Sequence, residues 1–441
     1  MSWKQYRLGD ILKRRRITEK LVANKDYKLV TIKLYHKGVT LRSIVKGSMI
    51  KSTMSSVRKG DFILSGIDAR NGAFGIVPSE LDGAVITNDF WCLEPIESVI
   101  NKEFLLYLTS TDFFDYICKQ SSDGTTQRIR LQKDKFFNYS INLPSIEDQR
   151  ILLLKLVKSK ELNSNIYAEL THQQDLVKQL RQAFLREAMQ GKLVKQDKKD
   201  GHAKDLLEKI KKEKQKLIAE KRIRQGKLQE AETLDSILFE IPESWVWCKL
   251  DEICYNVTDG THQTPKYTSK GRMFLSAQNV KPFKFMPDEH KYVSEEAYQG
   301  YIKNRKPEKG DLLIGRVGAG IGETAVIDQE LDFCIYVSLA LVQPFKNFIN
   351  SDYIANVFNS PYGYQYAKGN ISSKGGSAGN FNLGRIRSFL IPLPPLPEQA
   401  RIVKKLEELM SLCDDLQNNI QNSKQQNQQL LQQVLREALE K

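Results

Sequence analysis

Two stretches of this chain, 147–190 and 398–440, carry apolar residues at alternating three- and four-residue spacing and contain no proline or glycine. In the second, Leu406, Leu409, Cys413, Leu416, Ile420, Ser423, Asn427, Leu430 and Val434 fall on one stripe. In the first, Leu156, Ser159, Asn163, Ile166, Leu170, Gln173, Val177, Leu180 and Phe184 occupy the same positions less 250. A 3.5-residue repeat keeps one stripe turned toward a partner helix, so the pattern predicts two long helices that pack on each other. Each would run ~65 Å at 1.5 Å per residue. The polar seam residues Asn163, Gln173 and Asn427 cost stability but select one register.

The remaining sequence reads differently. Residues 1–146 and 241–396 hold short β-branched and aromatic runs such as "GDFILSGI", "GAVITNDFWCLEPI" and "FCIYVSLALVQPF", broken by Gly, Asn, Asp and Pro. These are strand signals. Helical stretches intervene at 101–120 and 350–369, so each globular part is expected to be α+β with a curved or mixed sheet. The same offset links the two parts: "KGDFILSGIDARNGAFGIV" (59–77) aligns with "KGDLLIGRVGAGIGETAVI" (309–327), and "QAFLREAMQ" (182–190) with "QQVLREALE" (432–440). The chain is one module written twice. Its parts are 1–146, a helical region with linker at 147–240, 241–396, and a helical region at 397–441. "LPSIEDQRIL" (143–152) and "LPPLPEQARIV" (393–403) enter the helices, and their prolines make a stiff strap that stops a strand and aims the chain.

Composition adds limits. A length of 441 residues calls for more than one core, and 41% hydrophobic with 27% charged residues is ordinary for a water-soluble fold. The amino terminus lacks the apolar stretch of a signal peptide, and no run approaches a membrane span, so a cytoplasmic protein without membrane contact is expected. Six cysteines show no CxxC spacing and read as reduced thiols, with no metal site. The net charge of +14 favours a polyanionic partner. It divides as +8 over 1–146, +5 over 147–240, +2 over 241–396 and −1 over 397–441.

No catalytic residues are assigned. The sole Pro-Pro lies in "LPPLP" and lacks the flanks of an adenine-methyltransferase tetrapeptide, and no GxxxxGK[ST] is present. "GRVGAGIGE" (315–323) is followed by strand-like sequence where a nucleotide loop would open a helix. Polar loops with glycine are better placed to meet a polyanionic partner, since small residues admit its close approach while Thr, Gln, Ser, Asn, Lys and Arg supply donors. In the first part these give Arg14 and Arg16 of "KRRR", Arg70 and Asn71 of "DARNG", and Thr125, Thr126, Gln127 and Arg128. In the second they give Thr258, Asp259, Gly260, Thr261, His262, Thr264 and Lys266, then Arg316, Lys374 and Ser377.

The strap phrase, "LREAMQGKLVKQDKKDGHAKDLLEKIKKEK" (185–214), "IPESWVWCKLDEI" (241–253), "DARNGAFGIV" and "DGTHQTPKYT" (259–268) together resemble the specificity subunit of Type I restriction–modification systems. The resemblance spans essentially the whole chain. It implies two target-recognition domains joined by two antiparallel coiled-coil helices with a pseudo-twofold repeat. It further implies double-stranded DNA with a bipartite site as ligand, and two methyltransferase subunits and motor-nuclease subunits as partners in phage defence. S-adenosylmethionine, ATP and Mg are then expected on those partners, and no cofactor on this chain. A related restriction system, with nuclease and methylase combined in one partner, is the alternative.

Overall fold

The computed structural model describes residues 3–109, 111–124, 129–223, 239–372 and 379–439. They form two compact units, Met1–His172 with Ile420–Lys441, and Gln173–Asn419.

Among the described residues, the first unit runs β1 (Trp3–Arg7), α1 (Leu8–Ile11), β2 (Leu12–Arg15), β3 (Asp26–Ile32), β4 (Val39–Lys46), β5 (Ser55–Ser56), β6 (Phe62–Ser65) and β7 (Phe74–Ile76). Next come β8 (Val85–Ile86), β9 (Phe90–Pro95), α2 (Lys102–Thr109), α3 (Asp112–Gln120), β10 (Ser122–Asp123), β11 (Arg130–Leu131), α4 (Lys133–Asn138), β12 (Ser140–Pro144) and α5 (Ile146–Met189). One sheet has the order β2-β9-β6-β7 and another β4-β3-β8-β5, with β3 and β8 parallel. β6 is buried on both faces. Phe62 and Leu64 join a core with Phe104, Phe114 and Ile117, whereas Ile63 joins Val30, Val57 and Cys92 on the other side.

The second unit repeats this plan. Its elements are α6 (Ala203–Ala219), β13 (Val246–Lys249), α7 (Leu250–Ile253), β14 (Cys254–Asp259), β15 (Arg272–Leu275), β16 (Val280–Lys281), β17 (Lys284–Phe285), β18 (Lys291–Val293) and α8 (Glu295–Ile302). They continue with β19 (Leu312–Gly315), β20 (Thr324–Val326), β21 (Phe333–Ile335), β22 (Leu339–Pro344), α9 (Ser351–Asn359), α10 (Pro361–Gly369), β23 (Ile371–Ser372), β24 (Asn380–Phe381), α11 (Leu383–Ser388), β25 (Leu390–Leu393) and α12 (Leu396–Leu439). The sheet β14-β22-β19-β20 mirrors β2-β9-β6-β7, and the parallel pair β15–β21 mirrors β3–β8. Leu312 and Ile314 face one core and Leu313 the other, as their counterparts do in β6. The strand β20 follows "GRVGAGIGE", so that stretch is a hairpin turn and not the start of a helix.

A strand leads into each strap. β12 pairs with β1, and β25 with β13, both antiparallel. One glutamine then fixes each helix start. Buried Gln149 accepts from the Asn101 N–H at 2.8 Å and donates to the carbonyls of Val99 (2.9 Å) and Pro144 (3.0 Å). Buried Gln399 accepts from the Asn350 N–H at 2.9 Å and donates to the Pro394 carbonyl at 3.0 Å. The extra polar anchor in the second unit is Glu398, which accepts from Trp245 Nε1 at 3.0 Å and from the Gln196 amide.

Helices α5 and α12 are each 44 residues long and touch within both units. In the first unit Leu152, Leu153 and Leu156 enter the core, with Leu431 and Val434 packed against it. In the second unit Leu185, Ala188 and Met189 meet Ile402, Val403 and Leu406, with Phe184 against them. Val177 and Ile420 are buried, and Leu170 and Leu409 half-buried. Four seam assignments are corrected. Ile166 (47% exposed), Leu180 (38%), Leu416 (45%) and Leu430 (58%) are exposed and not buried in a seam. More buried residues stand next to Leu180, Ser423 and Leu430, at Arg181, Lys424 and Leu431. Lys424 lies over the Tyr167 ring at 5.1 Å, and Arg181 bonds Asp414 at 2.6 Å. Long cationic side chains bury their stems there and keep their heads polar, so they fill seam positions that apolar counting assigns elsewhere.

Candidate nucleic-acid interface

In the first recognition domain, alternation along β2 sorts the three arginines. Arg15 is taken up by Asp61 and by Glu94 (3.1 Å), while Arg14 and Arg16 are exposed. The Arg14 guanidinium stacks over Trp91 at 4.7 Å and donates to the Asn88 carbonyl at 3.3 Å. Burial of its base, and then the charge of Arg16, hold its pKa below the ordinary arginine value. Cation–π stacking leaves the outer edge of the fork for a phosphate or a base. Arg70 and Asn71 sit in a tight turn, half-buried, that closes on left-handed Gly72 (φ 72°). Gly72 lets the chain pass over His36, whose ring would meet any Cβ at 3.0 Å.

Thr125, Thr126, Gln127 and Arg128, with Lys374 and Ser377, lie outside the described residues. The ribbons that carry their loops are described. β10 pairs with β11 in the first unit and β23 with β24 in the second. The Leu131 N–H donates to the Gly66 carbonyl at 2.7 Å, and the Phe381 N–H to the Arg316 carbonyl at 2.9 Å. Each ribbon is therefore pinned to the residue that follows one of the matched strands β6 and β19.

The second domain requires a correction. Arg316 is 4% exposed, and its guanidinium pairs with buried Asp259 and donates to the carbonyls of Val337 (3.1 Å) and Phe381 (3.1 Å). Its fork is consumed inside the domain, where it ties three chain segments together; it is not presented to a ligand. Its structural counterpart is Gly66, which holds the same place beside the loop root, and not Arg70. The loop 258–266 divides likewise. Asp259, Gly260 and Thr261 are buried, and a Cβ on Gly260 would collide with the Ile335 carbonyl. Arg305, which the sequence reading passed over, donates to the carbonyls of Asp259 (2.7 Å) and Gly260 (2.8 Å). Thr258 is half-buried; His262, Thr264 and Lys266 are exposed, with His262 Nε2 at 3.2 Å from Asp259. A buried ion pair thus lies beside an exposed edge of His262, Thr264 and Lys266.

Two such domains stand on one repeated frame, each joined through a strap to a long helix. Residues 1–172 and 242–424 match the Type I restriction modification DNA specificity domain, and the chain belongs to that family. It is similar to the EcoEI specificity subunit of Escherichia coli, 23% identical over 432 residues that cover 86% of this chain and 72% of that one. It is also similar to the EcoAI specificity subunit of Escherichia coli, 31% identical over 257 residues covering 55% of this chain and 41% of the relative. Among solved structures, the HsdS subunit from Thermoanaerobacter tengcongensis shares the fold at TM-score 0.59 and 19% identity, over 99% of this chain and 96% of that one. A chain from a study of complex assembly and conformational transition of the type I R-M system aligns at TM-score 0.68 and 19% identity, over 99% and 97%. The function of this chain is DNA specificity in Type I restriction–modification.

Proposed function

We propose that each recognition domain reads one half of a bipartite double-stranded site, that the helices set the gap between halves, and that two methyltransferase subunits dock on them. One observation carries the stoichiometry. The exposed apolar residues Leu162, Ile166 and Leu180 of α5 recur at an offset of 250 as Leu412, Leu416 and Leu430 of α12, which are exposed as well. A stripe written twice suits two copies of one partner, and exposed leucines on a helix that already has an inner face are a docking surface. The chain itself performs no chemistry in this reading. S-adenosylmethionine, ATP and Mg act on the methyltransferase and motor subunits, in the cytoplasm. Among the described residues no helix is long and apolar enough to cross a membrane.

Co-expression with a Type I methyltransferase subunit from the same host tests both parts. Native mass should give two methyltransferase chains per specificity chain, and genome-wide mapping of methylated adenines should return one split motif. One methyltransferase at saturation, or an unsplit motif, overturns the reading.

A further inference from the structure

Both recognition domains hold an exposed aromatic residue in a backbone conformation that such residues avoid. Tyr35 (φ 60°) stands at the tip of the β3–β4 hairpin and is 71% exposed; Phe283 (φ 64°) stands at the tip of the β16–β17 hairpin and is 47% exposed. Positive φ in a bulky residue is an outlier, and such strain persists where a function keeps it. Turn chemistry asks for something else at both places. Tyr35 is followed by His36 at φ 58°, a pair of left-handed positions that Asn-Gly fills without strain. Phe283 follows Pro282 in a two-residue turn between Lys281 and Lys284, where glycine is ordinary.

The two tips are topologically matched. β3 and β15 are the strands that pair in parallel with β8 and β21, and each tip lies on the chain that leaves one of them. Each strained residue is also fixed by its own N–H. Tyr35 donates to the Asn71 carbonyl at 2.9 Å, and Phe283 to the Thr324 carbonyl at 3.0 Å. Those acceptors lie at or just before the matched strands β7 and β20. Tyr35 thereby sits against the turn that carries Arg70 and Asn71. The sequence around each ring is basic and exposed: Lys33 and Lys37 flank Tyr35, and Lys281 and Lys284 flank Phe283.

We propose that Tyr35 and Phe283 are DNA-contacting residues, one for each half-site, whose rings wedge at base steps of the duplex while the flanking lysines meet phosphates. An exposed apolar ring can wedge at a base step of a duplex, and lysines on either side of it reach the phosphates there. The inference rests on the DNA-reading function given above and adds the residues and the mode of contact.

Glycine substitution separates the ring from the fold, because glycine accepts positive φ without strain. The chain is co-expressed with its methyltransferase as wild type, Tyr35→Gly, Phe283→Gly and Tyr35→Phe. Methylated adenines are mapped in the host genome, and binding to a duplex bearing the mapped motif is measured. Both glycine variants should keep or raise the thermal midpoint and assemble normally, yet bind that duplex about tenfold or more weakly. Each should relax or lose one half-site only. Tyr35→Phe should behave as wild type. If both glycine variants keep wild-type affinity and motif, or if Tyr35→Phe fails as badly as Tyr35→Gly, ring packing is overturned. A wild-type complex without a split motif would instead sink the DNA-reading scheme itself.

Discussion

Asn163 and Asn427 bond each other's backbones: each Nδ2 donates to the other's carbonyl, at 2.7 and 3.1 Å. The offset of 250 places Cys413 and Val177 at the corresponding positions, both buried. One end of the repeat therefore carries a polar layer where the other carries an apolar one. A buried asparagine layer in a helix pair costs stability and rejects slipped registers. Replacing the layer with its counterpart, Asn163→Cys with Asn427→Val, should raise the thermal midpoint, whereas Asn163→Ala alone should cost about 1 kcal/mol. Unfolding of the three chains side by side decides it, and a less stable double variant would refute the reading.

The strap glutamines should be far less tolerant. Gln149→Leu leaves the Asn101 N–H and two carbonyls without their buried partner, and Gln399→Leu strands the Asn350 N–H and the Pro394 carbonyl. Each should cost roughly 2–4 kcal/mol, since an unsatisfied buried backbone group costs about 1–3 kcal/mol. Glutamate at either position should be no rescue, because an ionised carboxylate cannot donate to the carbonyls. Denaturant midpoints of the four variants test this, and a loss below ~1 kcal/mol in both leucine variants would show that the straps are held some other way.

Arg316 and Lys266 should separate structure from contact. Arg316→Ala leaves Asp259 buried without its cation, a change that typically costs about 3–5 kcal/mol. The expected result is a lowered midpoint, with damage confined to the second half-site. Lys266→Ala should leave the midpoint unchanged and weaken DNA binding, with a smaller salt dependence if the lysine meets a phosphate. A stable Arg316→Ala chain would count against the clamp.

Much of this architecture was legible beforehand, for identifiable reasons. The repeat, the straps and the long helices follow from patterns that survive at an offset of 250, because helix periodicity and proline chemistry are local. The inner face was only half legible. Leu180 and Arg181 are neighbours in sequence, and apolar counting chose the leucine, while packing turned the arginine inward against Asp414. Arg316 was misread for a similar reason: an arginine in a polar loop looks free until the fold brings Asp259, 57 residues away, beneath it. The strained rings left a faint signal, a Pro-aromatic or aromatic-His pair between lysines, which turn rules would have flagged as the wrong chemistry for a hairpin.

Glu398 gives the stability a pH dependence of stated sign. Burial raises its pKa above the ordinary carboxyl value, against the opposing hydrogen bonds from Trp245 and Gln196. A carboxyl that holds its proton more tightly when folded adds stability below its unfolded pKa of about 4.3, and that contribution is lost as pH rises through the raised value. Relative to Glu398→Gln, the wild type should therefore gain stability as pH falls from 7 toward 4. Thermal midpoints of the two chains across that range give the slope of their difference. An opposite slope would mean that the hydrogen bonds outweigh burial.

The helices should measure the gap between half-sites. One domain that reads about three base pairs, at ~1–3 kcal/mol each, discriminates too weakly against a genome of competing sites. A stiff joint makes the second domain's binding effectively intramolecular, so the two discriminations combine only at the matching spacer. A heptad inserted after Leu170 and another after Ile420 keep the inner face in phase, because seven residues make nearly two turns. They add ~10 Å of helix, and at ~3.4 Å per base pair the preferred spacer should lengthen by about three base pairs. The half-sites themselves should stay as they were. Methylation of a synthetic series that differs only in spacer length, by wild-type and lengthened chains, measures the optimum directly. Retained activity with an unmoved optimum would show that the gap is set elsewhere in the complex.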